Sequence, residues 1–345
     1  MATLKDLSEY TGYSIATISR ILNSDPSMSA SEETRKKVLE AANTLNYAAT
    51  KSRKGRNLKT VLSLGIVLSC PHARIKEYYR RLWGSCVGRV CRDMKIEPID
   101  LRFDENGRLL SGLVGLDGIL AIGAFQDAQV EQLFRISENV VFVDGSPDEL
   151  HCDAVVSNCN AGIALVMEQF ISFGHKRIGY VGPCAMRSRL TRRMSFEVLF
   201  DLYLDAMRIC NLKSGKWYLD VAIDAQETET QLLDYVRKGG QLPTALIAAT
   251  EENAAGIYAA AEALGLSVPE DLSVVAFSSA AQLPRTHPAL TAVHVQAEEI
   301  CRAAVRLICE RVPGQTASEV RLTPKKVMIP PALIKRESVS QPKGN

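Results

Sequence analysis

The chain has 345 residues, of which 46% are hydrophobic and 23% charged, a composition that excludes a disordered chain and fits a globular protein of two or three folding units. The net charge of +2 excludes a polycation, yet the charge is uneven: residues 1–60 hold ten Lys or Arg against six Asp or Glu, and the other residues hold 31 against 33. A basic head on a slightly acidic body predicts an anionic partner for the head alone.

The first 47 residues predict three short helices. Thr3 is placed to cap the first helix, whose inward face takes Leu4, Leu7 and Tyr10. That helix ends at Gly12, and Ser29 or Ser31 begins the third helix. Two helices joined by a short turn that contains glycine are typical of the helix-turn-helix motif.

The second helix, SIATISRILN at 14–23, combines two different faces. Its stripe of Ile18, Ile21 and Leu22 is suited to a core, with Ser14 as the capping residue. The remaining face carries small hydroxyl side chains and one charge, Arg20. A helix that served only to fill a core would not need this polar face, so we expect the face to touch a partner.

The segment after these helices is strongly basic. KSRKGRNLK, residues 51–59, holds five cations, and no acidic residue occurs from 41 to 59. Such a segment is disordered alone and is attracted to phosphate. We interpret 48–59 as a linker that is attracted to the same anionic partner as the head.

From about residue 60, short apolar runs alternate with helical patterns. VLSLGIVLS, NVVFVD, RIGYVG and LSVVAFS are examples of the predicted strands. This alternation predicts parallel sheets with right-handed crossovers, and about ten strands are too many for one sheet. We therefore expect two α/β subdomains, with a ligand site at the carboxyl ends of the strands between them.

Several stretches together resemble the lactose/galactose repressor family of bacterial transcription regulators. The head resembles it over ATLKDLSEYTGYSIATISRILNSDPSMSASEETRKKVLEAANTLNY, and the body over GHKRIGYVG, PTALIAAT, GLSVPEDLSVVAF, HPALTAV and ALIKRESV, in the same order. GAFQDAQVEQL and VVFVDGSPDELHCDAV are most similar to the galactoside- and galactan-responsive branch. The resemblance implies an all-α helix-turn-helix head and an α/β periplasmic-binding-protein-like body of two doubly wound parallel-sheet subdomains.

The resemblance also implies a division of the chain. The predicted parts are a head at 1–47, a basic hinge at 48–59, an N-subdomain at 60–157 and 291–318, a C-subdomain at 158–290 and 319–338, and a tail at 339–345. The tail is expected to be unstructured. It is also too short and polar for the heptad helix of family tetramers, so a homodimer is expected.

In this family the second helix enters the DNA major groove. By motif position, Ile15, Ala16 and Arg20 are expected to read bases, with Arg20 able to form a bidentate pair with guanine. The other expected DNA contacts, mainly to the backbone, are Thr3, Ser14, Thr17, Ser19, Asn23, Tyr47, Lys51, Arg53 and Arg56.

The linker departs from the family pattern. Arg56 stands nine residues after Tyr47, where family members carry a leucine that wedges into the minor groove. Gly55 also weakens a hinge helix. We expect weaker kinking of the operator centre, or minor-groove electrostatics from Arg56 instead of a wedge.

The body of a family member binds a small effector. Asp144 ends a strand at a family ligand position, and Arg192, four residues before Phe196, matches the sugar-gripping arginine, although a slip of one residue would move that role to Arg193. Glu251 and Ser278 occupy two further ligand positions but differ from the family's usual residues. A galactoside-like sugar is favoured, while a larger oligosaccharide, a sugar phosphate or a non-sugar metabolite stay open.

Enzyme and metal signatures find little support in this sequence. The five histidines lack metal-ligand spacing, and no nucleophile elbow, dinucleotide fingerprint or phosphate-binding loop occurs. Nine scattered cysteines without C-x-x-C favour a reducing cytoplasm. No membrane span or signal peptide is expected. The prediction is a sugar-released transcriptional repressor without cofactor or metal; the alternative from another class is a sugar-binding protein without a DNA role.

Overall fold

The fold is given by a computed structural model. It describes residues 4–22, 30–45, 61–70, 76–110, 116–184, 195–212, 217–278, 286–312, 315 and 321–343.

The head is a bundle of three helices, α1 (Leu4–Thr11), α2 (Ile15–Leu22) and α3 (Glu32–Thr44). The stripe predicted for α2 is confirmed, because Ile18, Ile21 and Leu22 are buried in one apolar cluster with residues of α1 and α3. Tyr10 was expected to face inward but is 60% exposed; Tyr13, from the turn after α1, packs against the cluster instead.

The body contains twelve strands and seven helices among the described residues. In chain order they are β1 (Ser63–Ser69), α4 (Lys76–Asp93), β2 (Glu97–Leu101), β3 (Gly118–Gly123), α5 (Asp127–Ile136), β4 (Val140–Val143), β5 (Asp153–Ser157), α6 (Cys159–Ser172), β6 (Ile178–Gly182), α7 (Ser195–Ile209), β7 (Trp217–Asp220), α8 (Ala225–Arg237), β8 (Ala245–Ala248), α9 (Glu251–Ala263), β9 (Ser273–Ser278), β10 (Thr291–His294), α10 (Ala297–Arg311), β11 (Lys326–Ile329) and β12 (Ala332–Ile334).

The strands form two sheets of six. The first has the order β11-β5-β4-β3-β1-β2 and is parallel throughout. The second has the order β12-β10-β9-β8-β6-β7 and is parallel except for the pair β10–β12. Central strands such as GILAIG in β3 and ALIA in β8 are buried along their whole length, which is why they read as continuous apolar runs.

The chain crosses between the sheets three times. It passes from β5 into α6, from β10 into α10, and from β11 into β12. Asn158 N donates to Ile329 O at 2.9 Å, and Gln296 Nε2 donates to Pro330 O at 2.7 Å. These bonds join the first and second crossovers to the third. Each crossover leaves the carboxyl end of a strand, so the carboxyl edges of the two sheets face each other across the hinge.

This connectivity differs from the predicted division of the body at two strands. The prediction places segment 291–318 in the N-subdomain, but its first strand, β10, pairs with β9 in the second sheet. It places segment 319–338 in the C-subdomain, but β11 pairs with β5 in the first sheet. The partner of β11 lies more than a hundred residues earlier in the chain, which local patterns do not record, whereas β10 simply pairs with the strand directly before it.

The connection from α10 to β11 is anchored by a buried carboxylate. The side chain of Asp153, at the start of β5, is fully buried and accepts hydrogen bonds from Arg311 Nε (2.5 Å), Arg321 Nη1 (2.8 Å) and Lys325 N (2.7 Å). Burial alone would raise the pKa of Asp153, but the bonds from Arg321, Arg311 and the Lys325 amide outweigh it and leave that pKa below its usual value. The cluster fixes the segment that leads from α10 into β11 at the amino end of β5.

The predicted unstructured tail is wrong for residues 339–343. Val339 packs on the core, and Ser340 N donates to Ser273 Oγ at 3.1 Å. Just before it, Ser338 Oγ donates to Val274 O at 2.6 Å. Serine hydroxyls and main-chain groups of this segment form hydrogen bonds with residues at the amino end of the second sheet. These hydrogen bonds explain how a polar sequence becomes ordered.

Candidate nucleic-acid interface and ligand cleft

The turn between α1 and α2 requires glycine. Gly12 has φ +74°, a left-handed conformation that glycine adopts without a Cβ penalty. Its amide donates to Ser8 O at 2.9 Å, and Ser8 Oγ donates to Tyr13 O at 2.6 Å. These bonds fix the direction in which the chain enters α2.

Ser14 caps α2, as the sequence predicts. The Thr17 amide donates to Ser14 Oγ at 3.1 Å, and the two hydroxyl oxygens are 2.9 Å apart. Ser14, Ile15 and Ala16 are exposed at this end of the helix. The first amides of a helix lack intrahelical acceptors and carry positive partial charge, so this end is suited to a phosphate.

The exposed face of α2 has the composition of a DNA-reading surface. Ile15 is 47% exposed, and Ala16 and Arg20 are exposed as well. Ser19 and Thr17 are half-buried beside them. Because the apolar stripe on the opposite side of α2 is buried in the core of the head, the exposed face has a fixed orientation relative to α1 and α3.

Part of the predicted DNA interface lies outside the described residues. The positions concerned are Thr3, Asn23, Tyr47, Lys51, Arg53 and Arg56. The atypical hinge around Arg56 therefore stays a prediction.

Asp144 is a buried polar residue on the side of the cleft that the first sheet forms. It follows β4 directly, is 4% exposed and has φ +64°. Tyr79 Oη, from α4, donates to Asp144 Oδ2 at 2.8 Å. Burial, and then the charge of Asp144, raises the pKa of Tyr79 well above its usual value, so its hydroxyl keeps the proton that it donates.

The second sheet contributes polar groups at the ends of three strands. Glu251 is 6% exposed and begins α9, just beyond β8; Ser278 is 2% exposed and ends β9. Asp220 ends β7 and accepts a hydrogen bond from the Cys184 amide at 2.9 Å. The adjacent Thr250 does not face a ligand freely, because its hydroxyl caps α9 through Asn253.

Two of the predicted effector residues cannot be placed in this cleft. Arg192 and its alternative Arg193 lie outside the described residues. Phe196 lies in α7, but its side chain is not among the parts that the structure describes.

Sequence reasoning missed Tyr79 and Asp220. Asp220 directly follows the hydrophobic residues WYL, a signal that was available in the sequence. Tyr79 is separated from Asp144 by 65 residues, and only the paired aromatic residues of EYYRRLW near the end of β1 hinted at a cleft position.

Two buried cysteine thiols of the body are poor nucleophiles. Burial, and then Asp220, raises the pKa of Cys184 to about 12. Burial raises the pKa of Cys152 to about 11. Both thiols are protonated at neutral pH, and the thiolate is the reactive form.

Among the described residues, no group of three His, Cys, Asp or Glu is arranged to hold a metal ion. None of the helices described has both the length and the apolar character needed to cross a membrane.

Two protein families match this chain. Residues 3–49 match the family described as "Bacterial regulatory proteins, lacI family", and residues 167–339, half of the chain, match "Periplasmic binding protein-like domain". The chain belongs to the lacI family of bacterial regulatory proteins. The predicted resemblance and fold class are confirmed, and this lacI-family protein is a DNA-binding regulator of transcription.

Relatives match the regulator along its whole length. The "HTH-type transcriptional regulator GanR" of Bacillus subtilis (strain 168) is 27% identical and covers 99% of this chain and 100% of its own. The "HTH-type transcriptional repressor MelR" of the same organism is 28% identical, covering 98% and 97%. The "HTH-type transcriptional regulator GalR" of Lacticaseibacillus casei is 26% identical, covering 98% and 99%.

Solved structures share the fold. A lacI-family regulator from Weissella paramesenteroides with bound sucrose has a TM-score of 0.64 at 21% identity and covers 81% of this chain and 99% of its own. The lac repressor dimer bound to operator and an anti-inducer has a TM-score of 0.63 at 18% identity, covering 98% and 99%.

Proposed function

We propose that this regulator is a repressor of carbohydrate-utilisation genes that a sugar effector releases from a palindromic operator. One observation carries the proposal: the exposed face of α2 is joined in one chain to two sheets whose carboxyl ends present buried polar groups to each other. A DNA-binding surface and a binding site for a small molecule therefore belong to the same chain.

The DNA side follows from α2. Arg20 supplies a fork that suits guanine O6 and N7, Ile15 and Ala16 suit apolar contact with a thymine methyl, and the capped N-terminus at Ser14 suits a phosphate. We propose a homodimer whose two heads bind the half-sites of the palindrome. Operator affinity then falls steeply as salt concentration rises.

The effector side follows from the cleft. Asp144 on one wall and Glu251 and Ser278 on the other are proposed to bind hydroxyl groups, with Arg192 and Phe196 added by motif position. The solved structure of the Weissella paramesenteroides regulator with bound sucrose supports a carbohydrate effector. Ser278 offers a single hydroxyl where a carboxylate would bind two sugar hydroxyls, which keeps a sugar phosphate or a non-sugar metabolite as the second candidate.

Release of DNA requires that effector and operator prefer different arrangements of the two sheets. Closure around the effector moves the carboxyl edges together about the three crossovers and changes the spacing of the heads in a dimer. A coupling free energy of about 1–3 kcal/mol is typical of such linkage. We further propose a cytoplasmic location, where the chromosome is, and no catalytic activity.

A titration of labelled DNA tests this proposal. The DNA upstream of the protein's own and neighbouring genes is titrated by fluorescence anisotropy, with and without galactose, lactose, melibiose, sucrose and ribose. We expect tight binding that one sugar weakens at least fivefold, while a scrambled duplex binds weakly. Equal binding to upstream and scrambled DNA would overturn the DNA role; tight binding that no sugar changes would overturn the sugar effector and leave the second candidate.

A further inference from the structure

His294 carries a buried polar atom that the regulator's own described residues leave unsatisfied. Its Nδ1 is buried and has no hydrogen-bond partner among the residues that the structure describes. Burial lowers the pKa of His294, so the ring is neutral at pH 7 and one ring nitrogen is an acceptor. A buried ring nitrogen without a hydrogen-bond partner, in either tautomer, costs free energy and calls for an explanation.

The position of His294 in the sheet shows which way its side chain points. A Cβ on Gly162 of α6 would meet Phe277 and Val293, so these neighbours on β9 and β10 face α6. Side chains alternate along a strand. The next pair, Ser278 and His294, therefore lies on the opposite face, the one that α9 covers.

Ser278 and His294 are register partners at the carboxyl ends of adjacent strands. Glu251 begins α9 beyond the end of the next strand, β8. The proposed effector residues Glu251 and Ser278 and the unsatisfied ring thus lie at the carboxyl ends of three neighbouring strands, β8, β9 and β10, at the edge that faces the hinge.

We propose that His294 is a further effector-binding residue, whose Nδ1 accepts a hydrogen bond from a hydroxyl of a neutral, polyhydroxylated ligand beside Ser278. This rests on the proposed function. The serine hydroxyl and the imidazole together offer two neutral contacts in place of one carboxylate, which selects an uncharged hydroxyl-bearing group over a cationic one.

The proposed ligand site also lies next to the hinge between the two sheets. His294 is the last residue of β10, and the next amide, Val295 N, donates to Ser278 O at 2.8 Å. Gln296 then ties the same crossover to Pro330. A ligand hydroxyl that fixes His294 therefore fixes the segment about which the two sheets move.

Two substitutions separate binding from structure. His294→Leu removes both ring nitrogens, whereas His294→Asn keeps a polar atom near the position of Nδ1. His287→Leu replaces an exposed histidine outside the strand and is the matched control. Each variant is titrated calorimetrically with the sugar of the panel above that the unmodified protein binds best, and its thermal midpoint and operator affinity in the absence of sugar are measured.

We expect His294→Leu to weaken sugar binding at least tenfold, His294→Asn to stay within about threefold, and His287→Leu to change nothing. The thermal midpoint and sugar-free operator affinity of His294→Leu should match those of the unmodified protein. Sugar binding by His294→Leu within twofold of normal, or equal losses in the Leu and Asn variants, would overturn this inference alone. Failure of the unmodified protein to bind any of the sugars would instead overturn the proposed sugar effector, and this inference with it.

Discussion

At the scale of single residues, function depends on side chains that a structural neighbour holds in place. Arg20 is on the exposed face of α2 because Ile18, Ile21 and Leu22 bind the opposite face to the head's core. Asp144 is held by Tyr79 at 2.8 Å, and by a left-handed backbone that aspartate tolerates better than most residues.

Replacement of Arg20 by alanine should remove base selectivity while the fold remains. Loss of a bidentate contact to guanine costs about 1–3 kcal/mol of discrimination, so the ratio of operator to scrambled-DNA affinity should fall about 5- to 150-fold. Anisotropy titrations of both duplexes measure this ratio. Lys37→Ala, which removes the same charge from α3, is the control, and an equal loss of the ratio there would contradict a specific role for Arg20.

Replacement of Asp144 by asparagine should weaken effector binding without unfolding the protein. Asparagine has the same shape and tolerates φ +64°, but it loses a charge-assisted acceptor for ligand hydroxyls. Loss of such a bond costs about 1.5–3 kcal/mol, roughly 10- to 150-fold in affinity by calorimetry. Asp148→Asn, on the loop that follows, should bind normally; an unchanged affinity in Asp144→Asn would remove Asp144 from the site.

At the scale of elements, the C-terminal segment shows how a polar sequence is ordered by long-range contacts. His175, which is 2% exposed, lies between the loop before β8 and this segment: Nδ1 is 3.0 Å from Thr244 Oγ1, and Nε2 is 2.9 Å from Ser340 O. The carbonyl accepts, so Nε2 carries the proton. Burial lowers the pKa of His175, which keeps the ring neutral at pH 7.

The regulator should therefore lose stability on mild acidification. Because the pKa of His175 is lower in the folded state than the value of about 6.5 expected on unfolding, the unfolded state binds the proton more readily once the pH falls below about 6.5. Urea unfolding at pH 7.5 and 5.5 should give a smaller free energy of unfolding at pH 5.5. His175→Asn should reduce this difference and His287→Asn should not; the same difference in all three proteins would show that other groups cause it.

The sequence predicted those elements whose signals are local. Ser14 as a cap and the apolar stripe of α2 were readable within ten residues, as were the apolar central strands. The order of residues 339–343 was not, because Ser340 bonds to Ser273 and His175 far away in the chain. For the same reason the contact between Tyr79 and Asp144 and the pairing of β11 with β5 could not be predicted.

At the scale of the whole molecule, the two sheets are joined by three crossovers at their carboxyl edges, and these edges carry the candidate effector residues. Asn158 and Gln296 connect the first two crossovers to the third. Motion of one sheet relative to the other must therefore change the cleft and the hinge together. The head is attached before β1, so the same motion can alter how two heads in a dimer meet DNA.

Thermodynamic linkage between effector and operator tests this account most directly. The measurement is the affinity of the best-bound sugar for the regulator, by calorimetry, first free and then saturated with operator DNA. If the sugar favours an arrangement that DNA disfavours, its affinity must fall on the operator complex by the same factor by which it weakens operator binding, about 5- to 150-fold. An affinity that is the same with and without operator would contradict the account, because the cleft and the head would then act independently.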